Sequence, residues 1–398
     1  LALIDEREAK IFGQRCSTHG WQLLLKDISK IEFSKVLSRI VRLLKFVVNH
    51  SAVMVIFQKL VESSPDSAAL LAIVDTRFGS NFYAAERVLR DKLVLERLFT
   101  CSELVTWVDS QRPAAGSLDI KKEFDELKQW TIFYQDFWIK LKVYVDFTKF
   151  MIVGLRRSDT DSPNLHLMVA EFDKAKLECV KMAKQAKRDN DSLFVDGFAE
   201  KVEAAFVKRR PDIVSQLSLA AAFVDPFGAY MEPPVQVDGG YLALVAVLQK
   251  YHRDAPDAGS IVASTMTLVA DFREHRGRFF GTSLAAALAK DQNPDAFWAA
   301  AVQAEDKTGL EVCRYIFNGY AGQGASERVN QKVKRFRTKR RNRLSHMATE
   351  AYVEINMGLQ HAAKKKGPIT KTYLAHRQEH FDELRILHAE LAAETAVA

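Results

Sequence analysis

The chain has 398 residues, 48% of them hydrophobic and 27% charged, an ordinary globular composition with room for two or three domains. Its four cysteines (Cys16, Cys101, Cys179, Cys313) are scattered with no C-x-x-C pair, which excludes a disulfide-rich framework, speaks against a cysteine-built zinc site and fits a reduced, intracellular protein. The net charge of +7 is local: residues 332–343 carry eight cations and no acid, leaving −1 elsewhere, and a concentrated patch of that kind points to a polyanion.

No apolar run approaches the ~18 residues that span a bilayer, so no membrane partner is expected. No signal-peptide pattern opens the chain, and Leu1 in first place implies a start further upstream.

Taken in order, residues 9–17, with Ile11 and Phe12, read as a strand feeding a helix over 21–28, an α/β feature found almost nowhere else in the chain. Helical periodicity dominates the rest. Trp130, Phe133, Tyr134, Phe137, Trp138, Leu141, Tyr144 and Val145 fall at steps of three and four, which predicts one long helix with that stripe buried. Their aromaticity also suits base stacking, but a continuous stripe with Asp136 and Lys140 off it favours a core face.

Breaks are expected at 111–116, 158–164, 226–240 and 254–259, and a last one at 318–324, where three glycines fall in seven residues. A helix should end before Pro226, since the residue preceding a proline is driven out of the helical region. After the last break, Ser326 is a plausible N-cap, with Glu327 in the first turn where the helix dipole favours an acid. The alanine-rich tail from His388 reads as a fraying helix end.

Four stretches then stand out by residue type and order. Cys16-Ser17-Thr18-His19 precedes Leu23-Leu24-Leu25-Lys26-Asp27, and by itself the Cys/His pair is equally at home in a core. Asp75-Thr76-Arg77-Phe78-Gly79 follows: Arg77 is suited to a bidentate phosphate contact and Phe78 to stacking on an unpaired base, although a capping turn over a buried Phe78 fits the same letters. Ala220-Ala221-Ala222-Phe223-Val224-Asp225-Pro226 reads structurally. Last come Asn293-Pro294 and Phe297-Trp298, then Ser326-Glu327-Arg328, Lys339-Arg340-Arg341-Asn342-Arg343-Leu344 and Tyr352-Val353-Glu354-Ile355-Asn356.

In this order and spacing the set resembles the hAT superfamily of DNA transposases over roughly residues 16–359. The elements matched are a C-x-x-H element, a T-R-W/F segment (here Phe78), an A-x-x-L-D-P segment and the C-terminal dimerisation signature. The resemblance implies a mainly α fold with a small α/β part: a ribonuclease-H-like core split by a large all-helical insertion domain. The implied division is 1–95 for partial core, 96–315 for the insertion, and 316–398 for returning core helices and the dimerisation region.

The function implied is metal-dependent DNA strand cleavage and transfer in a full-length parent. Two aspartates and a glutamate hold Mg2+ or Mn2+ in such sites. By motif match that glutamate, catalytic and metal-binding, is Glu327. The aspartates should precede Cys16 by more than the eleven residues that separate Asp5 from it, so Asp5 is not assigned. With one carboxylate of three, this chain is not expected to hold the metal tightly, nor to cut DNA by itself.

Cys16 and His19 are implied as active-site support. Arg77, Phe78, Arg328 and the cluster Lys332, Lys334, Arg335, Arg337, Lys339, Arg340, Arg341 and Arg343 are implied on DNA, the cluster being open also to a nuclear localisation signal or a solvated face. A nuclear location, DNA as partner, no small-molecule substrate, and self-association into a dimer or higher oligomer through a seam of Ala348, Tyr352 and Ile355 complete the expectation. The alternative is a domesticated or decayed relative that binds DNA and self-associates in the nucleus without catalysis.

Overall fold

The computed structural model describes residues 15–65, 67, 70–71, 79–111, 119–160, 163–232, 234–290, 294–305, 309–317, 319 and 321. The described residues are 80% helix and no strand occurs among them, so the chain is mainly α there and the small α/β part is not seen. The strand expected at 9–17 lies mostly outside the described residues. Where it is described the expectation is corrected: Arg15 and Cys16 are irregular and Ser17 already opens a helix. Trp21, Leu24, Leu25 and Ile28 bury one helical face, and that 3–4 spacing carries the helix back to Ser17.

The chain forms two compact units, a discontinuous division that cuts it at 19/20, 155/156, 174/175 and 210/211. One unit holds residues 20–155 and 175–210. Its first elements are α1 (Ser17–Ile28) from residue 20 on, a π-helical turn (Ser29–Phe33) and α2 (Ser34–Asn49), which run on without a break. Seven side chains of α2 (Val36, Leu37, Ile40, Leu43, Leu44, Phe46, Val47) are buried along one face, each contributing roughly 1.5–3 kcal/mol. His50 is extended and ends the helix, and its Nδ1 lies 2.8 Å from the Phe46 carbonyl oxygen.

Then follow α3 (Ser51–Glu62), α4 (Ser80–Arg90), α5 (Lys92–Thr100), α6 (Ser102–Ser110), α7 (Ile120–Ile132), α8 (Gln135–Ser158) up to residue 155, α9 (Met168–Asp189) from residue 175 on, and α10 (Phe198–Ile213) up to residue 210. The rings of Tyr144 and Phe198 stand 5.2 and 6.0 Å from that of Phe33, and all three side chains are buried. Gly154 lies directly against the Trp21 indole, where any Cβ would overlap the ring.

The single helix expected through the aromatic stripe is in fact two. α7 ends at Ile132 and α8 starts at Gln135, so Phe133 and Tyr134 occupy the corner and are 69% and 42% exposed, while Trp130, Phe137, Trp138, Leu141, Tyr144 and Val145 are buried as expected. The corner is stabilised by the Trp138 indole N–H, which donates to the Thr131 carbonyl at 2.8 Å and so satisfies a group that the broken ladder would leave bare.

The described residues of the other unit fall within 15–19, 156–174 and 211–321. Its helices are α11 (Gln216–Phe223), α12 (Pro226–Ala229), α13 (Gly240–Tyr251), α14 (Ala258–Arg273), α15 (Ser283–Lys290), α16 (Pro294–Glu305) and α17 (Leu310–Phe317). The stop before Pro226 is as expected: α11 ends at Phe223, Pro226 takes the first position of α12, and the Asp225 carboxylate accepts the Phe227 N–H at 3.2 Å. The break expected at 254–259 is shorter, because Ala258 and Gly259 already belong to α14. Phe272, Phe280, Phe297 and Trp298 form the aromatic centre of this core, all at 0–1% exposure. The Trp298 indole donates to the Val224 carbonyl at 3.2 Å.

Candidate functional site

Of the residues implicated by the motifs, Cys16 and His19 are described. Arg77, Phe78, Glu327, Arg328, Lys332, Lys334, Arg335, Arg337, Lys339, Arg340, Arg341 and Arg343 lie outside the described residues, as does the seam of Ala348, Tyr352 and Ile355. Cys16 is half-buried just ahead of α1 and His19 is exposed in its first turn, so the His is not a core residue.

Between them, Ser17 and Thr18 are buried and hold the segment in place. The Ser17 N–H donates to the Ala321 carbonyl at 3.0 Å and its hydroxyl to the Ile213 carbonyl at 2.8 Å. Thr18 Oγ1 accepts from the buried Ser158 hydroxyl at 3.0 Å. Arg15 forms an ion pair with Asp212.

The residue that organises this corner, and that sequence reasoning missed, is Asn164. Its side-chain oxygen accepts the Ala321 N–H at 2.7 Å, and its amide nitrogen donates to the Arg157 carbonyl at 2.6 Å and to Thr160 Oγ1 at 2.9 Å. The backbone N–H groups of Asn164 and Leu165 both donate to the Gly319 carbonyl, at 3.2 and 3.3 Å. Close by in sequence, Arg157 pairs with the buried Glu171. A short polar side chain next to Pro163 is the usual sign of a turn; nothing in the letters says which distant backbone it will bind.

In the other unit, Gly79, which follows Arg77 and Phe78 directly, is fixed at φ +71° with its N–H on Gln22 Oε1 at 3.1 Å. A Cβ there would come within 2.8 Å of the end of the Ile152 side chain, which can shift, so it is the positive φ that favours glycine at position 79.

Burial pushes Cys313 up to about 12 and Cys179 well above the usual thiol range, so both are protonated at neutral pH. Asp27 behaves oppositely: burial acts to raise it, but hydrogen bonds and charge from Arg209 (2.8 Å) and Lys208 (3.1 Å) prevail and hold its carboxyl below the ordinary range.

The described residues bring together no group of three His, Cys, Asp or Glu side chains able to hold a metal ion, and Glu327 is not among them. No single described helix is long and apolar enough to cross a membrane. No protein-family model matches the chain, and no curated protein matches it.

Proposed function

We propose that the chain is part of a hAT-like DNA transposase, with Glu327 as one carboxylate of a divalent-metal site whose two aspartates belong upstream. A ribonuclease-H-like core split by helices belongs to the same proposal. The observation that carries it is the ordered run of motifs from Cys16 to Asn356. Two contacts of α1 add support. Ser17 meets Ala321, six positions before Glu327, and Gln22 meets Gly79, next to Phe78.

The chemistry would be in-line phosphoryl transfer, with Mg2+ or Mn2+ activating the attacking oxygen and stabilising the leaving one. One carboxylate cannot offset the charge of two divalent cations, so the 398-residue chain alone is not a nuclease. The test is Glu327→Gln in a protein that includes the upstream aspartates. Metal-dependent cleavage should be lost while folding and DNA binding persist, and a variant that still cleaves overturns the assignment.

A further inference from the structure

We infer that the polar face of α2, together with Phe133 and Tyr134, binds single-stranded nucleic acid. The inference stands apart from the residues 332–343 cluster and rests on one compact unit. The sequence of α2 holds four cations (Lys35, Arg39, Arg42, Lys45) and no acid. They fall on the side opposite the seven buried residues, at spacings of four, three and three, with exposed Ser38 and Asn49 beside them. The run from Lys35 to Lys45 measures about 15 Å at 1.5 Å per residue, a length over which a strand presents several phosphates.

Aromatic faces stand next to this row. The Arg39 guanidinium lies 5.8 Å from the Tyr134 ring centre and 6.0 Å from that of Trp130. Tyr134 is 42% exposed and its neighbour Phe133 69%, at the corner where α7 gives way to α8. Cations beside an exposed aromatic ring, here Arg39 beside Tyr134, are the two components by which proteins hold an unpaired strand, the first on phosphates and the second on bases. A duplex keeps its bases stacked inside and offers such rings nothing to stack on.

At the N-terminal end of the row a cavity of about 470 Å³ opens, with Lys35, Arg39 and Lys140 among its lining and Ile31 and Leu193 supplying apolar surface. That is room for one unstacked nucleoside. The π-helical turn forms one wall, and such turns often mark functional positions.

The acids nearby do not cancel the row. Glu32 is engaged by Lys140 and by the Val195 N–H at 3.0 Å, and Glu126 pairs with Arg42 at 2.7 Å between half-exposed side chains, a bond that a phosphate can replace. Asp136 remains on the cavity wall.

Fluorescence anisotropy of the full chain with a labelled dT20 strand and with a matched 20-base-pair duplex tests this. If about three phosphates are met, the log–log salt slope for dT20 is about −2. Phe133→Ser with Tyr134→Ser should weaken dT20 binding about tenfold and leave the duplex unchanged. Lys35→Glu with Lys45→Glu, which spares Arg39 and its ring contacts, should weaken dT20 at least tenfold. Circular dichroism checks that these exposed substitutions keep the fold.

The same pairs placed in a chain whose eight cations at 332–343 are alanine should act equally, which separates this surface from that cluster. Three results overturn the inference: dT20 binding unaffected by both pairs, the aromatic pair weakening duplex as much as dT20, or polyglutamate competing as well as unlabelled dT20.

Discussion

The Ser17 amide donates to the Ala321 carbonyl at 3.0 Å, although the two residues are 304 positions apart in sequence. Asn164 braces the same point, accepting the Ala321 N–H at 2.7 Å. Asn164→Ala removes that acceptor and the donor to Arg157, leaving buried backbone groups unmet at a cost of about 1–3 kcal/mol. A lowered denaturation midpoint and faster hydrogen exchange of the Ser17 and Ala321 amides are the expected results. Unchanged exchange at both would mean the bracing is elsewhere.

Gly154→Ala gives a prediction whose sign goes against propensity. In an exposed helix interior the change stabilises by up to about 1 kcal/mol. Here the added methyl overlaps the Trp21 ring, so a loss of about 1–3 kcal/mol is expected in urea denaturation, with Trp fluorescence altered in the folded state.

Asp27 sets a pH dependence. Its folded carboxyl is held below the unfolded value by Arg209 and Lys208, so the stabilisation is present above the unfolded pKa, near 4, and disappears as pH falls through the folded one. Asp27→Asn should therefore be less stable than the parent at pH 7. The gap between them should narrow below about pH 4. A gap that widens on acidification would contradict the ion-pair account.

Two residues of adjacent helices should differ sharply. Trp298→Ala empties the aromatic centre and should cost about 3–5 kcal/mol. Arg314→Ala on α17 breaks a bidentate pair with Asp295 of α16, at 2.6 and 2.9 Å, but both side chains are about half exposed, so less than about 1 kcal/mol is expected.

For the cluster at 332–343, eight charges on one short stretch cannot all face a duplex. Three or four phosphates met gives a duplex-binding salt slope of about −3 to −4. Binding that does not respond to salt between low and physiological strength would rule the cluster out as a DNA contact.

Helices and their stops were readable where a local rule decides them. Pro226 ends α11 because of its own ring, and Trp21, Leu24 and Ile28 repeat on one face whatever lies around them. The α7–α8 corner was not readable, because Phe133 and Tyr134 keep the helical spacing of their neighbours and only tertiary packing turns them outward. The same limit hid Asn164, whose partners at 157, 319 and 321 are distant, and the basic row of α2, whose cations look like any solvated face until Arg39 is seen over Tyr134. Of the motif-based site, Cys16 and His19 could be located, and Glu327 with the basic cluster lies outside the described residues.

The π-helical turn at Ser29–Phe33 fits one residue more into its turn than the α ladder allows. Deleting one residue there would convert the turn to plain α-helix and leave the buried face of α2 close to its present phase. The same deletion inside α2 would instead rotate everything after it by about 100° about the axis and carry Ile40 and Leu43 away from the core. A single-residue deletion in the turn should therefore be better tolerated than one within α2.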